Sequence, residues 1–413
     1  MPMKRVLMIA YHFPPLAGSS GIQRTLRFVQ HLPDFGWEPL VLTADPKAYE
    51  STSDDLLAEV PEGTVVRRSL ALDTARHLSI GGRYFSWMAQ PDRWMTWKYS
   101  AVREGLRMIQ QYRPDAIWST YPIATAHLIG AELCEKTNLP WIADFRDPMA
   151  QEGYPADERT WHSFKRVEEL AVKLAKLCLF TTPGAARMYR ERYPQKADRM
   201  VVLENGYDEE SFSSSTTNGD AKNTLNPGGL TFLHSGIVYP EERDPRQLFV
   251  ALAKLKDEKF IRNGEINIRF RAPVHEGLLH SLAKEYGVSD LIEVCGPLPY
   301  REALAEMLRA DALLILQASS CNEQIPAKIY EYLRARRPIA ALTDPVGDTA
   351  NVLRNAGLQW ISDLDKPDRI AACMKEWICA LQENRAPIPE REVVEQCSRR
   401  GRTSSLAEML NAV

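Results

Sequence analysis

Short apolar runs alternate with amphipathic stretches along this chain, in two series separated by a polar break. The first series opens with a strand-length run, Arg5 to Ala10, and a turn-rich loop, Tyr11 to Gly21, holding Pro14, Pro15, Gly18, Ser19, Ser20 and Gly21. A helical pattern follows over Ile22 to Phe35, with Leu26, Val29 and Leu32 on one face and Gly36 as its stop. The next strand is Glu38 to Thr43. Strand, helix and strand in this order make a βαβ unit, which predicts a parallel sheet. Val65–Arg67, Ala116–Thr120, Trp141–Asp144, Leu179–Thr182 and Met200–Leu203 continue the alternation. From Ser211 to Gly229 small polar and turn residues dominate, as expected of a linker. A second series of strands then runs through Leu230–His234, Ile266–Arg271, Leu291–Cys295, Ala312–Leu316 and Ile339–Leu342. The prediction is an α/β protein of two Rossmann-like domains, residues 1–210 and 230–394, joined by a linker at 211–229 and facing across a cleft. A chain of 413 residues is too long for one compact core, which agrees with two domains. Open α/β sheets bind ligands outside the carboxyl ends of their strands, so chemistry is expected there.

Charge narrows the function classes. Lys plus Arg number 51 against 54 Asp plus Glu, a net charge of −3, so nothing draws the chain as a whole to nucleic acid. Seven scattered cysteines without a Cys-x-x-Cys pair argue against a disulfide framework or structural zinc and fit a reducing compartment. The eight histidines show no metal-binding spacing, so no metal is expected. The opening apolar run is too short for a secretory signal, and no run approaches the ~20 residues of a membrane span. These features predict a cytoplasmic protein, soluble or peripheral.

The stretch Glu323-Gln324-Ile325-Pro326-Ala327-Lys328-Ile329-Tyr330-Glu331 carries the most chemistry. Pro326 suits a first helical position, which sets Glu323 on the preceding loop and Glu331 about a turn and a half inside. The N–H groups of such a helix start attract phosphate, and Lys328 adds a full charge. Two carboxylates beside an anion site suit a ligand that also carries hydroxyls. The alternative is an ordinary amphipathic helix with solvated acids.

Other segments sit at strand ends. The loop Pro14 to Gly21 allows close backbone approach but matches neither a dinucleotide fingerprint nor a Walker loop. Asp144-Phe145-Arg146-Asp147 places three charges at the end of a strand, either lining the cleft or pairing with one another. Gly236 and Arg243 open the second series as the first loop opens the first, and Arg243 can fork onto a phosphate. Tyr84, Phe85, Trp87, Trp94 and Trp97 cluster near Arg83, Arg93 and Lys98, as at a membrane interface, on a sugar, or in a packed subdomain. Asp363-Leu364-Asp365 is a chance Asp-x-Asp match. His127 lies within a helical pattern and is expected to be structural.

In their order along the chain these pieces resemble a GT-B glycosyltransferase of family 4. They are His12-Phe13-Pro14-Pro15 with Gly18, Asp144-Phe145-Arg146-Asp147, Glu204-Asn205-Gly206-Tyr207-Asp208, Gly236 with Arg243-Asp244-Pro245, the Glu-x7-Glu of Glu323 and Glu331, and Pro338-Ile339. Pro91-Asp92, Trp97 and Pro140 to Asp144 are similar to the branch that builds bacterial surface polysaccharides. The resemblance implies transfer of a sugar from a nucleotide diphosphate-sugar to a lipid-linked or polysaccharide acceptor, with retention of anomeric configuration and no metal or other cofactor. Glu331 would accept from the ribose, and Glu323 would bond the transferred sugar. Arg243 and Lys328 would hold the diphosphate. Gly236 and Ile325 would line the donor site. The Gly18-Ser19-Ser20 loop would close over it, and Gly296-Pro297-Leu298 would meet the base. Thr120, Tyr121, Asp144, Arg146 and Asp147 would lie on the acceptor side. A helix near 395–413 would pack back on the first domain, and the enzyme would work at the inner face of the cell membrane.

The chain departs from the family pattern in places. No histidine follows Ser119-Thr120-Tyr121-Pro122, Ile237 directly follows Gly236, and Phe270-Arg271-Ala272-Pro273 replaces a Gly-rich turn. Two other readings therefore stay open, a nucleotide-sugar epimerase of the same fold and a binding or scaffold protein without chemistry.

Overall fold

The computed structural model describes residues 3–19, 21–215 and 224–413. It divides into two compact units, Met1–Asn205 with Arg399–Val413, and Gly206–Ser398. The first unit holds β1 (Lys4–Ile9), β2 (Trp37–Ala44), β3 (Val65–Ser69), β4 (Ala116–Thr120), β5 (Trp141–Arg146), β6 (Leu177–Phe180) and β7 (Met200–Val202). They form one sheet in the order β3-β2-β1-β4-β5-β6-β7, every pair parallel. The second unit holds β8 (Leu230–Ser235), β9 (Ile266–Arg271), β10 (Ile292–Cys295), β11 (Ala312–Leu316), β12 (Ile339–Leu342) and β13 (Ile361–Ser362). Their order is β10-β9-β8-β11-β12-β13, again all parallel. Strand order reverses between β1 and β4 and between β8 and β11, the points where open sheets leave room for a ligand.

Burial explains the sequence pattern. Ala312 to Leu316 and Ile339 to Leu342 are buried throughout, because helices cover both faces of a central parallel strand. On β9, nearer the edge, Ile266, Ile268 and Phe270 point inward, while Arg269 and Arg271 alternate outward and pair with Glu306 at 3.0 and 2.6 Å. The two-residue β13 is too short to show a period in the sequence.

Two expectations shift. The first helix ends at His31, and a 3-10 turn, Leu32–Phe35, carries the chain to Gly36, because Pro33 has no N–H to continue the α-helical ladder. A helix, Glu209–Ser215, takes up the first five residues, 211–215, of the expected linker. Phe212 is fully buried in a cluster with Leu304, Ile329 and Tyr330, so this helix belongs to the second unit. Of the rest of the expected linker, residues 216–223 lie outside the described residues. The terminal helix, Arg399–Ala412, packs Leu406 and Leu410 into the cluster of Val29, Leu32 and Trp37 in the first unit, with Arg400 bonded to Asp34.

Candidate functional site

The turn after β8 and the helix Lys328–Ala335 build the site of the second unit. This helix begins later than Pro326 suggests: Ala327 precedes its first residue, and the Ile329 N–H bonds the Pro326 carbonyl at 3.0 Å. Glu331 therefore stands in its first turn. Lys328 is half-buried, and its Nζ lies 3.0 Å from His234 Nε2. Gly236 has a φ of +108°, and a Cβ placed on it would lie 3.3 Å from Lys328 Nζ, so the amine rests over bare backbone. Burial pushes the Lys328 pKa down to about 7; nearby Arg243 pushes the same way and Glu331 opposes it.

The neighbours are held in turn. Arg243 Nη1 donates to the Ile237 carbonyl at 2.8 Å, and its guanidinium lies 5.0 Å from the Tyr239 ring. Tyr300 Oη donates to Glu331 Oε1 at 2.8 Å. The Ser235 N–H bonds the Tyr332 hydroxyl at 2.8 Å. Gly236, Arg243, Lys328 and Glu331 thus gather at the β8/β11 switch point. Glu323 is exposed on the loop ahead of their helix, and Gln317 ties that loop by donating to the Cys321 and Gln324 carbonyls at 2.9 and 3.0 Å. Gly296 and Pro297 are exposed and Leu298 half-buried ahead of the helix Tyr300–Arg309, with the Gly296 carbonyl held by Arg271 at 2.7 Å. Ile325 differs from expectation: its side chain packs in the core cluster with Ile329 and Leu333, which leaves only its backbone to meet a ligand.

In the first unit the loop after β1 turns through Gly18, φ +77°, while Ser20 lies outside the described residues. Ser19 Oγ bonds His12 Nδ1 at 2.9 Å and accepts the Gly21 N–H at 3.2 Å. A Cβ on Gly21 would fall 2.5 Å from His12 Nδ1 and 2.9 Å from Arg146 Nη1, so only glycine lets these groups meet. Burial, with Arg146 adding to it, pushes the His12 pKa down to about 4.

Asp144 corrects the expected row of acceptor-side charges. It is 0% exposed, and both its oxygens accept from Arg24 at 2.9 Å. Thr120 Oγ1 adds a bond of 2.9 Å. Arg24 also donates to the Leu203 and Glu204 carbonyls. Asp144 and Thr120 are thus spent on holding strand ends together. Tyr121 is 5% exposed, its ring edge-on to Phe164. A register shift between Asp144 and Arg146 separates the next charges from this interior pair. Arg146, at φ +62°, reaches the Tyr121 carbonyl at 3.3 Å, and Asp147 is exposed, with Thr181 donating to it at 3.3 Å.

His127 is fully buried and bonded to Ser119 at 2.8 Å, a structural residue as its helical setting suggests. The aromatic cluster divides: Trp97 is buried with its Nε1 on Ser69, and Trp94 packs on Tyr11, whereas Phe85 and Trp87 are 70% and 71% exposed and stacked on each other. The sequence reading missed His234, Gln317 and Tyr300. His234 and Phe232 share the buried face of β8, so His234 passes for a core residue; Tyr300 had a signal, an aromatic two residues after Leu298.

Residues 20–206 match the glycosyl transferase 4-like domain family. No curated protein matches the chain. Among solved structures, Anabaena HepE in complex with UDP aligns with a TM-score of 0.64 at 13% identity, covering 100% of both chains. A glycosyltransferase from Rickettsia africae aligns at 0.66 and 14% identity, over 99% of this chain and 98% of that one. Sucrose-phosphate synthase from Thermosynechococcus elongatus aligns at 0.59 and 13%, over 99% and 96%. Identities this low speak to the fold, and the fold is that of two parallel-sheet α/β domains joined in one chain. Residues 20–206 thus match a glycosyl transferase 4-like domain, and the chain as a whole shares the two-domain GT-B fold of these structures.

Proposed function

We propose that the second unit seats a nucleotide diphosphate-sugar and that the enzyme transfers its sugar to a lipid-linked or glycan acceptor. The observation that carries this reading is the half-buried Lys328 amine held over Gly236 beside Arg243. Two cations gathered at one turn repel each other unless an anion joins them. A diphosphate supplies that anion, and its negative charge grows as the sugar–phosphate bond breaks, so fixed cations favour the transition state. Glu331, steadied by Tyr300, accepts from ribose hydroxyls. Glu323 bonds the sugar. The Gly236 turn and the Gly296–Leu298 backbone border the diphosphate and the base. Arg146 and Asp147 remain as the acceptor-side groups. HepE is described with UDP and UDP-glucose, which makes uridine the first base to test. Retention and independence of a metal belong to the same reading, checked by the anomeric configuration of the product and by turnover in EDTA.

The test is thermal unfolding with UDP, GDP, ADP and their sugar conjugates, with NAD as control. A ligand of the native state raises the midpoint by mass action. The expected result is a rise with one diphosphate and its sugar, lost in Glu331→Ala. A shift with NAD alone, or none at all, refutes the donor site, and turnover of donor to an epimer without acceptor refutes transfer.

The same reading places the enzyme in the cytoplasm at the inner face of the membrane, through the turn bearing Phe85 and Trp87. Ile80 is 88% exposed nearby, and residues 74–90 hold Arg76, His77 and Arg83 and no acid. Aromatic rings with cations suit an anionic interface. No helix of the described residues is long and apolar enough to cross a membrane. Flotation with phosphatidylglycerol vesicles is expected to carry the wild type and not Phe85→Ser/Trp87→Ser; equal flotation of the two would exclude this turn.

A further inference from the structure

We propose that His234 is a positioning residue for sugar transfer, a neutral acceptor that aims the Lys328 amine at the Gly236 turn and withholds it from Glu331. The inference rests on reading the second unit as the donor site. His234 is 1% exposed, and its Nδ1 lies 3.0 Å from the Leu314 carbonyl. A carbonyl only accepts, so the proton is on Nδ1 and the lone pair on Nε2 faces Lys328. A protonated imidazole there would set two cations 3.0 Å apart; burial and Lys328 hold the His234 pKa well below its ordinary value.

The groups that bear on the amine are His234 from β8, Arg243 from the following loop, and Glu331 from its own helix. Glu331 is three positions along that helix, in reach of an ordinary lysine–glutamate pair. Such a pair would neutralise both side chains and lift the amine off Gly236. Arg243 repels the amine in any position. A neutral acceptor resolves the competition: it fixes the direction of the four-carbon stem and leaves the charge uncancelled for an anion.

A consequence follows for protons. The amine titrates near pH 7 in the empty site, and burial is the first cause. A bound diphosphate favours the charged amine, so donor binding takes up a proton and weakens as pH rises above 7.

The experiment uses the full chain and UDP. Calorimetry at pH 8 in buffers of different ionisation enthalpy is expected to show proton uptake by the wild type and none by Lys328→Met. His234→Phe is expected to lower kcat/KM for the donor about 10–100-fold, the effect of one lost hydrogen bond to a charged group, and to flatten the fall in affinity between pH 7 and 9. His234→Gln, which keeps an acceptor, is expected to recover most of both. A His234→Phe enzyme that melts earlier yet keeps the wild-type pH profile makes His234 merely structural and overturns the proposal, as does UDP binding without proton uptake. Failure of the wild type to bind any nucleoside diphosphate overturns the donor-site reading first, and so is told apart.

Discussion

Asp144→Asn separates an interior strut from an acceptor contact. Asp144 is 0% exposed and the Arg24 side chain 3%, and two bonds of 2.9 Å join them. The substitution keeps shape and removes the charge that compensates a buried guanidinium. Breaking a buried pair by removing one partner costs about 3–5 kcal/mol. In a domain of this size each kcal/mol moves the midpoint by about 2–4 °C, so scanning calorimetry should show the first unit melting about 6–20 °C earlier. Arg24→Met with Asp144→Leu removes both charges and should recover part of the loss. It does not recover all, because the Leu203 and Glu204 carbonyls lose their donor. UDP binding to Asp144→Asn should keep its wild-type strength wherever the protein is folded. A variant with an unchanged midpoint and a raised acceptor KM would refute the interior assignment.

Two further outcomes follow from the second unit. Gly236→Ala forces an alanine to φ +108° with its methyl 3.3 Å from Lys328 Nζ, so the turn or the amine must move; donor kcat/KM should fall about 5–150-fold, the cost of a strained residue being about 1–3 kcal/mol, and wild-type kinetics would show that the amine does not work from this position. Tyr300→Phe frees Glu331 from a 2.8 Å bond, and donor Kd should rise about 2–10-fold, the range for one hydrogen bond; an unchanged Kd in titration calorimetry would place Glu331 outside the ribose contact.

Much of the fold is legible in the sequence because central parallel strands are buried on both faces and read as unbroken apolar runs, as in Ala312–Leu316. Boundaries are less legible. Pro326 suits a helix start, yet the helix begins at Lys328, and the choice is made by a turn bond from Ile329 to the Pro326 carbonyl. Residues 211–215 have linker-like composition but follow Tyr207 and Glu209, and one buried ring, Phe212, draws them into the second unit.

The candidate site divides along the same line. The groups proposed for the donor side stand out because their pattern is local: a glycine after a strand, a lysine at a helix start, and an acid three positions on need only spacing to be noticed. The acceptor-side reading failed at Asp144 because its role is decided by Arg24, 120 positions earlier, and no period within β5 encodes that pairing. His234 hides for the opposite reason. Its position in β8 is that of a core residue, and it is one by burial, but its Nδ1 faces a carbonyl and its Nε2 an amine. A buried histidine whose two nitrogens have such different partners is fixed in tautomer as well as in place. That gives the lysine a direction which neither the Glu-x7-Glu spacing nor the helix start can supply, so the working geometry of the most legible motif in the chain depends on one of its least legible residues.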